Sequence, residues 1–344
     1  MILAGDIGGT NSRMALFTQE GGCLRLAAEA KYPSQQHKGL EEIVKLFLSE
    51  TGANVEAACC GIAGPVVHGR AVASNLPWIA DATKISRETG ITPVFLINDL
   101  QAHASGIYAL DGNDLVALNS APAGEGNAAL IAAGTGLGEA GMYWDGSRYH
   151  AFAGEGGHAD FAPRNDLEVK LHVYLMQKFG HVSCERVLSG PGLKNIYDFL
   201  RDTGIESEPD WLRSEIEASP NPAAIISQYG MKETAGICAR AQDMFVGAYG
   251  SEAGNLALRM LSTGGVFLSG GIAAKILPKL RTRIFLDAFA NKGRMKPLLE
   301  SMPIKVIVSE KVGLIGAACY AMTRQDTEGH GQRDQTRTQD RSRF

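Results

Sequence analysis

The chain has 344 residues, of which 45% are hydrophobic, so it has room for two domains of ordinary size with a core in each. Its 37 Asp and Glu outnumber its 33 Lys and Arg, and the net charge of -4 disfavours nucleic acid and anionic membrane as partners. No apolar run approaches the roughly 20 residues of a membrane span, and an acid as early as Asp6 disfavours a secretory signal, so we expect a cytoplasmic protein.

The first motif is a glycine turn between two short apolar runs, which predict a strand on each side of it. Gly8 and Gly9 permit positive φ and carry no Cβ, so backbone N–H groups can converge there on a phosphate, and Thr10 and Asn11 add side-chain donors. Asp6 would repel that phosphate unless a divalent cation lay between them, so we interpret it as a partner of Mg²⁺ through water. The alternative is an ordinary β-hairpin with an acid near its corner.

Two further predicted strands lead to polar residues or a glycine turn. Apolar residues at helical spacing predict a helix over 40–48, and an apolar run over 57–60 predicts a buried strand that enters a second glycine turn. The other strand, over 94–97, ends at Asn98 and Asp99. Ligands in open α/β sheets gather beyond the carboxyl ends of strands, so this amide and this carboxylate are candidates for substrate contact.

The second half of the chain repeats the plan of the first. An apolar run over 128–133 enters a turn that resembles the opening one, and a run over 266–269 enters a glycine pair that can let an adenosine lie flat on the backbone. These matching plans predict a duplicated α/β core with a cleft between its halves. The candidate nucleotide contacts in this half are Gly134, Thr135, Gly136, Gly270 and Gly271.

Other segments have simpler predictions. We expect a helix with a polar start over 180–192 that ends at a Gly-Pro-Gly break, a charged surface excursion over 202–227, and an amphipathic helix over 234–260. The loop 74–78 is a candidate lid segment, and the polar tail 324–344 is predicted to be disordered. The six scattered cysteines form no C-x-x-C pair and are expected to be reduced thiols.

The polar residues near the predicted turns suit a polyhydroxyl ligand. Neither the first glycine turn nor the turn at 134–138 completes a Walker A loop or a G-x-G-x-x-G fingerprint, which disfavours a P-loop enzyme and a Rossmann dehydrogenase. Planar amides and carboxylates bind neighbouring sugar hydroxyls, and phosphoryl transfer to a hydroxyl needs one carboxylate as base, for which we choose Asp99. The candidate sugar ligands are Asn98, Asp99, Glu155, His158 and Glu185.

These residues also have ordinary structural interpretations. Glu155 and Glu185 can be surface acids or helix caps, and His158 can be a core histidine with satisfied hydrogen bonds. We assign the remaining candidates of this type to ordinary structural roles: His103, His150, His172 and His181.

Five motifs together resemble bacterial glucokinases of the proteobacterial and cyanobacterial type, from residue 1 to about 323. They are 5–11, 97–99, 134–138, 154–163 and 185–192. The resemblance implies the duplicated ribonuclease-H-like (actin-like ATPase) α/β fold with two lobes around a central cleft, a homodimer, and phosphorylation of the D-glucose 6-hydroxyl by Mg²⁺ and ATP. It also implies a small lobe of 1–109 plus 301–323 and a large lobe of 110–300.

The motif match implies a role for each candidate. Asp99 would be the base, the other sugar candidates would hold the hexose, and the turns at 6–11 and 134–136 would hold the phosphates. Rival interpretations are a kinase of the same fold acting on fructose, mannose or an N-acetylated amino sugar, a sugar-responsive regulator, and an ATP-driven scaffold. We expect no regulator because no DNA-binding segment precedes the first turn. The cysteine-rich zinc motif of the related repressor/kinase family is absent, which favours the glucokinase branch.

Overall fold

The computed structural model describes residues 1–21, 23–72, 76 and 78–324. The predictions of a disordered tail and of a lid at 74–78 concern residues that lie largely outside these ranges. Contacts between Cα atoms group the described residues into two compact units, Met1–Gly112 with the residues from Ser309 onward, and Asn113–Val308. The lobe boundaries 1–109 with 301–323, and 110–300, stay a prediction.

The first unit is built on a five-stranded sheet with the order β3-β2-β1-β4-β8. Strands β2 and β3 run antiparallel to their neighbours, whereas β1, β4 and β8 are parallel. Strands β5, β6 and β7 form a small separate sheet. The elements are β1 (Ile2–Ile7), β2 (Asn11–Glu20), β3 (Cys23–Pro33), α1 (Leu40–Thr51), β4 (Ala57–Ile62), β5 (Val66–Val67), β6 (Arg70–Val72), β7 (Ile79–Asp81), α2 (Ala82–Thr89), β8 (Val94–Asn98) and α3 (Asp99–Gly106).

The second unit has a six-stranded sheet with the order β12-β11-β10-β13-β14-β9 and a large helical layer. Its elements are β9 (Leu115–Ala117), β10 (Ala128–Ala133), β11 (Leu137–Trp144), β12 (Tyr149–Gly154), α4 (Asp166–Phe179), α5 (Gly190–Asp202), α6 (Asp210–Ala218), α7 (Pro222–Lys232), α8 (Gly236–Met260), β13 (Gly265–Ser269), α9 (Gly270–Lys275), α10 (Leu277–Leu280), α11 (Arg283–Ala290), α12 (Lys296–Glu300) and β14 (Ile304–Ile307). The chain then returns to the first unit as helix α13, residues 312–324.

The first sheet is buried on both faces because side chains alternate along its strands. Leu3 and Ile7 of β1 pack into a core with α1 and α2, whereas Ile2 and Ala4 pack into a second core with α3 and α13. Strand β4 is buried along its whole length, as expected for a parallel strand in the middle of such a sheet.

The two sheets share one strand order. In each sheet, a central strand has two antiparallel strands on one side and two parallel strands on the other. The spatial orders are β3-β2-β1-β4-β8 and β12-β11-β10-β13-β14. The second sheet adds β9 as an antiparallel edge strand. This repetition confirms the prediction of a duplicated ribonuclease-H-like α/β fold.

Two local predictions were wrong. The segment 180–192 is not a helix, because Ser189 is an N-cap whose hydroxyl accepts from Gly192 N–H, and Pro191 lies in the first turn of α5. The Gly-Pro-Gly sequence thus starts a helix and does not end one. The segment 202–227 contains α6 and the start of α7, whose residues Leu212, Ile216 and Ile226 join the core.

None of the helices in the described ranges combines the length and apolar character that crossing a membrane requires.

Candidate functional site

Three parallel strands of the first unit end at one edge of its sheet. Ile7 of β1, Ile62 of β4 and Asn98 of β8 are in register, so the residues that follow them leave the sheet together. Neighbouring strands lie about 4.8 Å apart, which places the ends of β1 and β8 about 10 Å from each other. The first turn and Asn98–Asp99 therefore lie at the same sheet edge, as predicted for ligand contacts in open α/β sheets.

The turn after β1 is a tight hairpin supported by Ser34. Gly8 N–H donates to Asn11 O over 3.0 Å, and Ser34 donates from its backbone N–H to Thr10 O and from its hydroxyl to Gly8 O. Neither Gly8 nor Gly9 has a positive φ, so the turn does not use this freedom of glycine. A Cβ on Gly8 would lie 3.2 Å from Asn11 O, so a larger residue there would crowd the hairpin.

Asp6 lies beside His103, a residue for which the sequence predicts an ordinary structural role. An ideal Cβ on Gly313 would lie 3.2 Å from Asp6 Cγ and 3.2 Å from His103 Nε2, so both side chains converge on the bare backbone of Gly313. Burial lowers the pKa of His103, and the opposing effect of the Asp6 charge is smaller. A neutral imidazole therefore lies beside Asp6 at neutral pH. No sequence pattern indicates this contact, because Gly313 lies far from both residues in the chain.

Asn98 and Asp99 form the start of helix α3. Asn98 is the N-cap, and its Oδ1 accepts from Leu100 N–H at 2.9 Å and Gln101 N–H at 3.3 Å. One amide hydrogen of Asn98 is donated to Gly64 O. Asp99 is the first helical residue and is half-buried. The partial positive charge at a helix N-terminus stabilises its carboxylate form.

The second unit places its two glycine turns at the ends of adjacent parallel strands. Ala132 of β10 and Ser269 of β13 are in register, so Gly134 and Gly270 lie at the same edge. Gly270 has φ 85, and a Cβ there would lie 2.5 Å from Ala133 O. Only glycine tolerates that approach. A Cβ on Gly271 would meet no atom within 4 Å, so its backbone lies open beside the turn.

The segment with Glu155 and His158 lies against strand β11. Gly156–His158 form one turn of 3₁₀ helix, in which His158 N–H donates to Glu155 O. A Cβ on Gly157 would lie 2.0 Å from Leu137 O, so the two backbones are in direct contact. The side chains of Glu155 and His158 are each 63% exposed, and their polar atoms come within 4.0 Å of each other. Both are therefore available to a ligand.

Glu185 contacts Leu137, the residue that follows the glycine turn at 134–136. Its Oε2 accepts from Leu137 N–H at 2.9 Å, and it would lie 2.5 Å from a Cβ on Gly136. Cys184 N–H donates to Ala159 O, which ties the Glu185 segment to the one that carries His158. The structure thus joins Glu155, His158 and Glu185 to the turn at 134–136 within one unit. Thr135 lies exposed at the tip of that turn.

The residues near Asp6 fit a hydrated Mg²⁺ ion. Mg²⁺ keeps several waters in proteins and is held by one or two carboxylates together with substrate phosphates. Asp6 is a half-buried carboxylate on the strand that leads into the glycine turn, and the neutral His103 beside it adds no competing charge. Within the described ranges, His, Cys, Asp and Glu form no cluster of three that could hold a metal ion.

Buried acids of the second unit were also missed. Glu139 is 3% exposed on β11, and Glu252 is 5% exposed on α8. No sequence motif marks either residue, because buried acids far apart in the chain become neighbours only in the fold.

All six cysteines, which lie in the described ranges, are free thiols.

Comparisons with known proteins agree with this geometry. A family model described as Glucokinase matches residues 3–324. Glucokinase of Nostoc punctiforme is 41% identical over 336 residues, which cover 93% of this chain and 98% of that protein.

Solved structures extend the likeness to the fold. A crystal structure of glucokinase from an Antarctic psychrotroph has a TM-score of 0.83 and 29% identity, and the match covers 94% of this chain and 98% of that one. A ROK family glucokinase from Streptomyces griseus, in complex with glucose and AMPPNP, shares the fold at 21% identity and a TM-score of 0.60, over 94% of this chain and 99% of that one. With the family match over nearly its whole length, the chain belongs to the glucokinase family.

Proposed function

We propose that this chain transfers the terminal phosphoryl group of ATP to the 6-hydroxyl of D-glucose, which forms glucose 6-phosphate and ADP in the first step of glycolysis. The observation that carries the proposal is the hydrogen bond between Glu185 and Leu137 N–H in a chain of this family. It connects a candidate sugar ligand to the turn proposed for phosphate. A protein that binds only one of the two ligands has no need for this connection.

Asp99 is the proposed general base. It would accept the proton of the 6-hydroxyl as the oxygen attacks the terminal phosphorus. Its position at the N-terminus of α3 stabilises the ionised form that this role requires. The Asn98 cap holds the start of the helix, and Leu100 N–H donates to Asp99 Oδ1 at 2.9 Å, which orients the carboxylate.

The sugar is proposed to be held by polar side chains with complementary hydrogen-bonding capacity. Glu155 and Glu185 accept from sugar hydroxyls, while His158 and the amide of Asn98 can donate to them. Because these groups would be left unpaired by an analogue that lacks a hydroxyl, they also supply specificity. Glu185 can serve the sugar with Oε1, since Oε2 accepts from Leu137 N–H.

The nucleotide is proposed to contact the two glycine turns and the glycine pair after β13. Backbone groups at Gly8, Gly9, Gly134 and Gly136 and side chains at Thr10, Asn11 and Thr135 would bind phosphate oxygens. The open backbone of Gly271, next to Gly270, would support the adenosine. Mg²⁺ bound with ATP neutralises charge on the phosphates during transfer, and Asp6 would hold it through water.

We further propose a homodimer in the cytoplasm. Light scattering on the purified full chain measures the oligomeric state, with twice the chain mass of 36.6 kDa expected. A mass equal to one chain at assay concentration would contradict the dimer.

The deciding experiment measures ADP formation from Mg²⁺ and ATP with and without D-glucose. We expect ADP only when the sugar is present, and glucose to be preferred over fructose, mannose and N-acetylated amino sugars. Preference for another sugar would assign a different hexose kinase activity. ADP release that is independent of every sugar would contradict the proposal.

The base is tested with Asp99→Asn. We expect the rate to fall by roughly 10² to 10⁴, the usual contribution of general acid–base catalysis, with a modest change in glucose affinity. Asp166→Asn is the matched control, because Asp166 is also the first residue of a helix, α4, but is exposed and assigned no role. Turnover near that of the control would remove Asp99 from the role.

A further inference from the structure

Two carboxyl groups meet in the interior of the second unit. Arg259 Nη1 lies 3.0 Å from Glu252 Oε1 and 3.7 Å from Glu139 Oε2, so a single guanidinium nitrogen forms ion pairs with both acids. Glu139 Oε1 and Glu252 Oε1 are buried atoms without a hydrogen-bond partner of good geometry. A buried charge is stable only when it is paired and hydrogen-bonded, and Glu139, with Arg259 3.7 Å away, is less compensated than Glu252, which also accepts from Asn255 and Cys184.

Each acid is fixed against a segment that carries a proposed sugar ligand. A Cβ on Gly156 would lie 1.9 Å from Glu139 Oε2, so the Glu139 carboxyl packs directly on the backbone between Glu155 and His158. Glu252 Oε2 accepts from Cys184 Sγ at 3.4 Å, and Cys184 is adjacent to Glu185 in the chain. A shift of either carboxyl would therefore displace sugar-binding backbone.

Few other charged or titratable groups face the pair. Arg259 projects from the same helix as Glu252 and is 46% exposed, so it offers solvent a route to the carboxyls. Asn255 donates to Glu252 Oε2 at 2.9 Å and accepts from Lys292 Nζ at 2.6 Å. Asn255 thus connects a second cation, Lys292, to Glu252 through hydrogen bonds. Burial raises the pKa of Cys184, with the charges of Glu252 and Glu139 adding to it, so this thiol stays protonated.

Burial also raises the pKa of Glu139 to about 7, and the nearby Glu252 carboxyl adds to the effect. Arg259 opposes this rise but does not cancel it. Glu139 therefore changes its protonation state near neutral pH, in contrast to an ordinary carboxyl group.

We propose that Glu139 and Glu252 share one proton and act as positioning residues for the sugar, by holding Gly156 and the segment of Glu185 in place. The inference rests on the proposed function, because the readout is affinity for D-glucose. In the singly protonated pair, one carboxylic acid donates to the other carboxylate, and both segments stay where the structure shows them. When the proton is lost, the two carboxylates repel each other and press on Gly156 and Cys184.

The test is the pH dependence of the glucose KM, with kcat measured in parallel. For the wild-type chain we expect KM to rise severalfold to about tenfold as the pH increases from 6 to 8.5 while kcat changes much less, since the pair touches no reacting atom. Glu139→Gln cannot ionise and should remove this rise. Glu252→Gln should weaken it as well, because Glu139 then no longer faces a second carboxylate.

The matched control is Glu208→Gln. Glu208 is a buried acid of the same unit; burial raises its pKa, but hydrogen bonds from Arg213 and Tyr197 outweigh that effect and lower it, so it stays ionised. This variant should keep the wild-type pH profile. A rise that persists in Glu139→Gln would come from another group, such as His158 or Asp99, and would overturn the proposal. So would a wild-type KM that is flat across this pH range.

A second measurement separates this inference from the proposed function. Infrared spectra of the ligand-free chain at pH 6 should contain the carbonyl band of a buried protonated carboxyl, which Glu139→Gln removes and pH 8.5 suppresses. Absence of that band would overturn the shared proton even in an active kinase. If the band is present in a chain that forms no ADP with glucose, the shared proton is supported and the proposed kinase activity is refuted.

Discussion

Replacing Gly316 by alanine should separate the two helices that support Asp99. Helix α13 crosses α3 so closely that a Cβ on Gly316 would lie 1.7 Å from Ala102 O, and one on Gly106 would lie 2.6 Å from Val312 O. Both obstacles are backbone atoms, which cannot rotate away. To bring the new Cβ of residue 316 from 1.7 to 3.0 Å from Ala102 O, the helices would have to move apart by about 1.3 Å. That movement is enough to weaken dispersion contacts along the crossing.

The cost can be estimated from known packing effects. Inserting a methyl group into a close-packed site costs about 1 to 3 kcal/mol, and the backbone clash places this variant at the upper end. Alanine recovers up to about 1 kcal/mol through its better helix propensity. We therefore expect Gly316→Ala to lose about 2 kcal/mol of unfolding free energy, measured by urea denaturation. Because α3 begins at Asp99, a shift of about 1 Å should also lower kcat by about 10²-fold.

Gly236→Ala is the matched control. Gly236 is also helical, but its Cβ would meet only Glu206 Oε2 at 3.7 Å, an ordinary contact. This variant should be as stable as the wild type or more stable by up to about 1 kcal/mol, with unchanged kcat. If Gly316→Ala matched the control in both stability and kcat, the helix crossing would not position Asp99 as we infer.

Three further predictions address the charged groups and the sugar segment. Asp6→Asn should raise the Mg²⁺ concentration for half-maximal activity about tenfold with little change in glucose KM; a Mg²⁺ titration identical to the wild type would contradict the role of Asp6. Glu139→Gln should stabilise the fold at high pH. The pKa of Glu139 is about 7 in the folded chain against an ordinary 4.5, so the wild type loses about 3 kcal/mol of unfolding free energy as the pH rises from about 4.5 to 7. Urea denaturation at pH 5 and 8.5 should show a higher unfolding free energy for the variant than for the wild type only at pH 8.5. Gly156→Ala, whose Cβ would lie 1.9 Å from Glu139 Oε2, should raise glucose KM more than it lowers kcat, and equal effects on both would argue against a sugar-binding segment there.

The sequence was sufficient for the strands that carry glycine turns. The run predicted at 128–133 is β10 with the same bounds, and the strand predicted at 94–97 is β8, which is one residue longer. Both are short apolar runs bounded by glycine or polar residues, and this pattern depends only on local sequence. Prediction was wrong at 180–192, where local composition suggested a helix end and the Ser189 cap made a helix start.

Individual side-chain roles depend more on the fold than on local sequence. Asn98 was predicted as a sugar ligand, and the structure shows its Oδ1 occupied by two N–H groups of α3. His103 was assigned to an ordinary structural role, yet it converges with Asp6 on Gly313, a residue far along the chain. Such contacts come from the return of α13 to the first unit, and no periodicity in the sequence reports them.

The bond from Leu137 N–H to Glu185 gives the second unit a way to connect its two proposed ligands. Leu137 also places its carbonyl against Gly157, so one residue contacts both segments proposed to bind sugar and directly follows the turn at 134–136 proposed to bind phosphate. A hexose bound by Glu185 would compete with Leu137 N–H for the negative charge of that carboxylate. Binding of the sugar would thereby act on the phosphate turn through a single hydrogen bond. A kinase must avoid transferring phosphate to water, and if the proposed roles hold, this hydrogen bond would make the geometry of the turn at 134–136 depend on whether the sugar is bound.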